Sequence, residues 1–145
     1  MPVYNQGNFE PKNPQKYIGS FPIIFRSAWE LTLMNVCDEH PNILQWASES
    51  IKIPYQDPLT GKQRTYIPDF FIVYLDKNGQ THGEIIEIKP LSQSVVEAVR
   101  SKRDAAALIY NQAKWTAAED WCRRNGLRFR IMTENQLYRQ AAGRK

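Results

Sequence analysis

The apolar residues of this chain switch between a helical and an alternating period, and the switches mark out its elements. From Arg26 to His40 (RSAWELTLMNVCDEH), Trp29, Leu33 and Val36 recur on one helical face, with Leu31, Met34 and Cys37 beside them. Ser27 followed by Glu30 is the signature of a capping box, and Pro41 closes the segment, so a first helix is predicted here. From Glu49 to Lys89 the period shortens to two. This predicts a meander of three strands, about Glu49–Gln56, Gln63–Leu75 and Thr81–Lys89. The turns between them are the Asp57–Gly61 run DPLTG and the Asp76–Gln80 run DKNGQ, centred on Asn78-Gly79. Pro68 has no N–H to give a ladder, which implies a bulge or an edge position just before Asp69.

Past Pro90 the helical period returns. Gln93–Tyr110 is expected to be helical through Val96, Val99, Ala106, Leu108 and Ile109. Asn111–Gly126 makes a firmer helix, with Trp115, Ala118, Trp121 and Cys122 at helical spacing and Gly126 as its C-terminal cap. Trp115 and Trp121 diverge around that helix, so at least one is expected to meet another surface. Leu127, Phe129 and Ile131 alternate in a further strand, and Glu134–Gln140 fits a short last helix. Residues 1–20, rich in Pro, Asn, Gly and Gln, are expected to form an extended, weakly structured arm with Tyr4, Phe9 and Tyr17 as anchors. The remaining 21–145 then form one domain. Its order of helix, strands, helices, strand and helix predicts an α/β fold with a mixed sheet flanked by helices.

Composition narrows this picture only a little. The 145 residues suffice for one domain with its own core, and 42% hydrophobic content excludes global disorder. A net charge of +4 permits a nucleic-acid partner without demonstrating one. Cys37 and Cys122, each in a predicted helix and in no CxxC pair, read as buried reduced thiols. With His40 and His82 as the only histidines, zinc chemistry has little support. No apolar run reaches membrane-spanning length and the start carries no secretory pattern. The expectation is a cytoplasmic protein, or one that stays bound to a particle assembled there, with no membrane partner.

The chemistry concentrates in Tyr66–Pro90, YIPDFFIVYLDKNGQTHGEIIEIKP. Phosphodiester hydrolysis needs a water made nucleophilic and charge neutralised on the phosphate. Mg²⁺ supplies both, and carboxylates are its natural ligands. Asp69 and Glu87 lie on strands joined by a short turn, so they can approach. Glu87 and Lys89 share one strand face, while Ile88 points into the core and offers its backbone carbonyl to a metal. Lys89 could orient or deprotonate the water, or stabilise the developing phosphorane. Glu84 alternates to the opposite face and is expected to face solvent or to lie near the hairpin end. Asp57 and Asp76 are ordinary turn residues. An acid-x-lysine on an exposed strand often marks only a solvated face. Here the flanks are apolar, a costly place for unpaired charge. Glu30 reads first as a capping-box glutamate, but a helix packed beside the sheet would deliver it as a third carboxylate.

Pro68, Asp69, Glu87, Ile88 and Lys89 together resemble the PD-(D/E)xK nuclease superfamily, whose core is restriction-endonuclease-like. The likeness continues through NFEPKNPQKYIG, IIFRSAWE, IPYQDPLTGKQRTYIPDF, EIIEIKP and NQAKWTAAEDWC, which are similar to the head-completion nucleases of tailed phages. The same core is similar to the amino-terminal domain of TnsA-type transposon endonucleases. Those usually carry a further carboxy-terminal domain, and its absence here favours the phage likeness. The resemblance implies a divalent-metal-dependent DNA endonuclease acting during or after genome packaging. Asp69 and Glu87 would hold the metal, Lys89 would serve the nucleophile, and Glu30 would support a metal or its water. It also implies Mg²⁺ as cofactor with Mn²⁺ substituting, DNA and phage portal or head–neck proteins as partners, and a place in the host cytoplasm during assembly and on the virion.

Arg26, Lys52, Lys62 and Arg64 lie near the site in sequence as DNA-binding candidates, with Ser27 and Gln56 as neutral phosphate contacts. Lys102, Arg103, Lys114, Arg123, Arg124, Arg128 and Arg130 form a second basic supply. Two other functions compete with catalysis on packaged DNA. One is a noncatalytic head-completion or DNA-end binding protein. The other is a junction-resolving endonuclease, which needs a two-fold dimer.

Overall fold

The computed structural model describes residues 6–89, 102–133 and 136. Among them run β1 (Gly7–Asn8), a short 3₁₀ turn (Pro14–Lys16), β2 (Ile24–Phe25), α1 (Ala28–Glu39), β3 (Ile43–Ser48), β4 (Ile53–Gln56), β5 (Gln63–Tyr66), β6 (Phe70–Leu75), β7 (Thr81–Ile88), α2 (Lys102–Arg124) and β8 (Arg128–Met132). The central sheet has the order β3-β6-β7-β8. β6 and β7 form an antiparallel hairpin from Phe70↔Ile86 to Leu75↔Thr81. β3 joins β6 antiparallel, while β8 runs parallel to β7 from Glu84↔Arg128 to Ile88↔Met132. A parallel neighbour requires a crossover, and α2 lies in that connection. The result is the mixed sheet flanked by helices that the pattern predicts.

Alternation along β7 divides the interior in two. Ile86 and Ile88 face α1 and pack with Leu33, Met34, Val36 and Cys37, with Trp46 of β3, with Ile23 and with Phe9 and Tyr17 of the arm. Ile85 faces α2 and packs with Trp115, Ala118 and Cys122, and with Ile53, Tyr55 and Tyr66 of a separate β4–β5 ribbon. Each fully buried aliphatic side chain stabilises the fold by about 1.5–3 kcal/mol relative to exposure. Both cysteines are buried and free, as expected.

α1 begins as its sequence requires. Ser27 is extended, and its Oγ accepts the Glu30 N–H at 3.1 Å. The Glu30 carboxylate turns back to the Arg26 N–H at 2.9 Å, one residue outside the usual capping box. His40, extended before Pro41, ends the helix.

Several boundaries differ from the pattern. Period-two reading assigns no strand to Ile43–Ser48, which forms β3. A bulge between Ile43 and Gln45 breaks its alternation, leaving Leu44 and Gln45 both exposed. Glu49 has a positive φ of 49°, so the expected Glu49–Gln56 strand contracts to β4. The expected Gln63–Leu75 strand is cut at Ile67–Asp69, where Pro68 cannot donate. Its first part pairs with β4 in the ribbon and its second enters the main sheet. α2 runs unbroken through Tyr110 and Asn111, where the pattern changes helix. The arm is better ordered than its composition suggests. Phe9 and Tyr17 are core residues, β1 pairs with β2, and buried Asp38 of α1 accepts the N–H groups of Lys12 (2.8 Å) and Asn13 (2.9 Å). Trp115 and Trp121 contribute to the same cluster rather than to different surfaces. Tyr4, residues 93–101 and most of the expected last helix lie outside the described residues.

Candidate active site

The site forms where the β6–β7 ladder stops. Asp69 follows Pro68 at the break before β6, and its carbonyl accepts the Glu49 N–H at 3.0 Å. Its side chain crosses to β7, where Oδ2 accepts the Ile88 N–H at 2.8 Å. Glu87 is buried, and two groups clamp its carboxylate. The Tyr66 hydroxyl donates to Oε1 at 2.7 Å, and Lys89 Nζ lies 3.4 Å from Oε2. The strand period therefore does what the sequence suggests: Glu87 and Lys89 meet while the Ile88 side chain enters the α1 core.

Electrostatics ties the acids together. Burial pushes the Asp69 carboxyl up to about 8. The negative charges of Glu87 and Glu30 add to the rise, while the Ile88 N–H and Lys89 oppose it. Glu30 is also pushed up, first by burial and then by Glu49 and Glu87, against the Arg26 N–H and the Arg26 charge. Asp69, Glu87 and Glu30 thus share one electrostatic neighbourhood. Glu30 is nevertheless half-turned from it, with Oε1 held by the Arg26 backbone.

The donors fit Mg²⁺ in kind. They are hard carboxylate oxygens in repulsive proximity, and Mg²⁺ needs only one or two of them beside its waters. Among the described residues no three carboxylate, imidazole or thiolate side chains form a ready-made cage. Asp69 and Glu87 are the pair that fits, with Asp69 Oδ1 taking no donor among the described residues.

Two residues enter the site that motif reasoning does not place there. Tyr66 has its hydroxyl pKa raised well above the ordinary value, first by burial and then by the Glu87 charge and the hydrogen bond to it. Lys114 of α2 stands over the Tyr66 ring, Nζ 5.8 Å from the centroid. Burial lowers its pKa, Lys89 lowers it further and Glu87 opposes. The buried Trp115 indole N–H lies near the Tyr66 hydroxyl and opposes its pKa rise, but falls short of hydrogen-bond geometry. An aromatic two residues before Pro68, and a lysine inside an apolar helical stripe, are the only signals for these roles in the sequence.

The expected DNA contacts divide. Arg26 makes a two-pronged pair with Glu49 (3.0 and 3.1 Å), and Ser27 Oγ is used as the helix cap. Arg64 pairs with Asp57 at 2.7 Å and Gln56 bonds the Gly61 carbonyl at 3.1 Å, so both brace the ribbon turn. Asp57 is accordingly pulled down to about 2, first by the Leu59 N–H and then, against desolvation, by Arg64 and Thr60. Lys52 and Lys62 are exposed. Glu84 corrects the expectation of a solvent-facing acid. It does face away from Glu87, but it is buried and pairs with Arg130 at 3.1 Å, because β8 covers that end of β7.

The family described as TnsA-like endonuclease N terminal matches residues 40–134. The chain belongs to this family. Its mixed sheet, flanked by helices, is accordingly a restriction-endonuclease-like core. The TnsA-like match spans Asp69, Glu87, Lys89, Tyr66 and Lys114 and begins after Glu30. The chain is also 35% identical over 142 residues to the head completion nuclease of Enterobacteria phage T4, covering 90% of this chain and 92% of that one.

Proposed function

We propose that this protein is a divalent-metal-dependent DNA endonuclease that hydrolyses phosphodiester bonds during phage head completion, after genome packaging. The observation that carries the reading is the approach of Asp69 and Glu87 across the β6–β7 hairpin, with Lys89 held at Glu87. Asp69, Glu87 and the Ile88 carbonyl would hold Mg²⁺, with Glu30 supporting the metal or its water and Mn²⁺ substituting. A divalent ion held by these residues would supply a water of lowered pKa and neutralisation of phosphate charge.

The chain's own groups do the rest. The Ile88 N–H fixes Asp69 with one oxygen occupied and the other open. Tyr66 and Lys89 fix both oxygens of Glu87, holding the carboxylate plane against rotation. Lys89 brings an ammonium to the depth of that carboxylate, where it can orient the attacking water and offset charge on the phosphorane. The exposed Lys52 and Lys62 suit backbone phosphate contacts. Arg26 and Arg64 would have to leave their acidic partners to join them. The portal or a head–neck protein is the partner we propose, in keeping with the similarity to a head completion nuclease. The corresponding location is the host cytoplasm during assembly and then the virion, with residues 1–20 acting as the arm of the nuclease domain.

Cleavage of linear, supercoiled and branched DNA with Mg²⁺, Mn²⁺ or chelator, beside Asp69→Ala and Lys89→Ala, tests the reading. Metal-dependent cutting lost in both folded variants is expected. DNA binding that survives in both, with no cutting by the metal-loaded wild type on any substrate, would leave a noncatalytic DNA-end binding protein.

A further inference from the structure

Lys114 occupies an unusual position for a surface-helix lysine. It precedes buried Trp115 on the face of α2 that packs against the β4–β5 ribbon. Its ammonium lies over the Tyr66 ring, and that ring's hydroxyl is bonded to Glu87 Oε1. Lys89 sits at the other oxygen, so one ammonium meets this carboxylate directly and a second, from α2, stands over the tyrosine bonded to it. Lys114 is half-buried, and among the described residues no carboxylate lies within ion-pair distance of it. Partial desolvation of a cation with no carboxylate in direct contact, Glu87 acting on it only at longer range, is unfavourable, and the aromatic face offsets it only in part. An anion arriving at the site would complete the arrangement. Arg26 and Arg64, by contrast, already have their carboxylates.

We propose that Lys114 is a phosphate-binding residue of this centre, engaging a DNA backbone phosphate next to the scissile one, with the Tyr66 ring as the platform that holds its ammonium in place. The proposal rests on the nuclease reading above and adds to it a contact from α2 that no part of the acid-x-lysine motif supplies. A lysine suits this role because it meets phosphate as a compact point charge, independent of base sequence.

The test compares the full-length wild type, Lys114→Met and Lys114→Arg. Binding of a fluorescein-labelled DNA duplex is measured by anisotropy in chelator across a salt series, and cleavage of the same duplex is measured in Mg²⁺. Lys114→Met keeps the length and packing of the stem. It should weaken binding about tenfold at moderate salt, similarly for different sequences, and flatten the slope of log affinity against log salt by about one unit. Its cleavage defect should lie mainly in KM. Lys114→Arg should restore the slope, and all three proteins should melt together. Wild-type affinity and salt slope in Lys114→Met, while the wild type cuts DNA, would overturn this proposal and leave the nuclease reading standing. Equal loss in Met and Arg variants with lowered melting temperatures would overturn it in favour of a packing role. A wild type that neither binds nor cuts would overturn both.

Discussion

Asp69 Oδ2 accepts the Ile88 N–H at 2.8 Å, so a side chain closes the β6–β7 hairpin one step beyond its last ladder pair, Phe70↔Ile86. This bond places a carboxylate beside Glu87 and leaves its second oxygen facing the site. Asp69→Asn and Asp69→Ala should both lose DNA cleavage by at least about 10²-fold, the scale of losing one main electrostatic contribution. They should differ in stability. The Asn carbonyl can still accept the Ile88 N–H, whereas Ala leaves that partly buried donor unmatched at a cost of about 1–3 kcal/mol. Cleavage rates and chemical denaturation of the pair measure the two roles separately.

The raised Asp69 pKa has a consequence for metal-free protein. Its folded value, about 8, lies above the ordinary carboxylate value near 4. Between these the folded state binds the extra proton, so stability falls as pH rises through that window. Burial, Glu87 and Glu30 set the direction, with Lys89 and the Ile88 N–H opposing. In chelator the melting temperature should drop from about pH 5 to pH 8, and Asp69→Asn should flatten the drop. Added Mg²⁺ should stabilise the wild type most at the alkaline end, because it binds the deprotonated carboxylate. A melting temperature that rises over the same range would contradict the assignment.

The sequence pattern carries the hairpin, α1, the placement of Glu87 against Ile88 and a further strand after the helices, because each follows from a period or a capping residue. It does not carry β3, whose bulge hides its alternation, nor the separation of the β4–β5 ribbon from the main sheet. The site divides in the same way. Asp69, Glu87 and Lys89 stand on adjacent elements whose spacing can be counted. Tyr66 and Lys114 reach the site only through the packing of α2 against the ribbon, a long-range contact without local periodicity. Glu84 is misjudged for a related reason, since its partner Arg130 arrives on a strand from the far side of α2.

Tyr66→Phe isolates the hydroxyl that orients Glu87. The ring, and with it the Lys114 platform, is kept, while Glu87 Oε1 loses its 2.7 Å donor. A hydrogen bond to a charged group contributes about 1.5–3 kcal/mol, so a destabilisation near the lower end is expected because the ring still fills its pocket. Cleavage kcat should fall about tenfold, and half-saturation by Mg²⁺ should move to higher concentration, since a Glu87 held at one oxygen only, by Lys89, would hold the ion less well. DNA affinity in chelator should be unchanged. Titrating Mg²⁺ in cleavage assays, with anisotropy in chelator alongside, checks each part, and a shift in DNA affinity alone would assign Tyr66 to substrate contact instead.

Glu84 supplies the contrast to Glu87 on the same strand. Both are buried acids, but Glu84 faces the α1 side, where Arg130 Nε meets its Oε1 at 3.1 Å. Arg130→Leu would strand the Glu84 charge. Losing one partner of a fully buried pair costs about 3–5 kcal/mol, and Arg130 is 43% exposed, so solvent screening reduces the expected loss to about 1–3 kcal/mol. Arg130→Leu with Glu84→Leu should recover most of it, because an apolar pair of similar size needs no desolvation of charge. Neither change touches Asp69, Glu87 or Lys89, so the cleavage rate per folded molecule should stay at the wild-type level. Urea denaturation of the single and double variants, normalised against their cleavage rates, distinguishes a structural ion pair from a second functional site. A rate loss in a fully folded double variant would show that Glu84 participates in the chemistry.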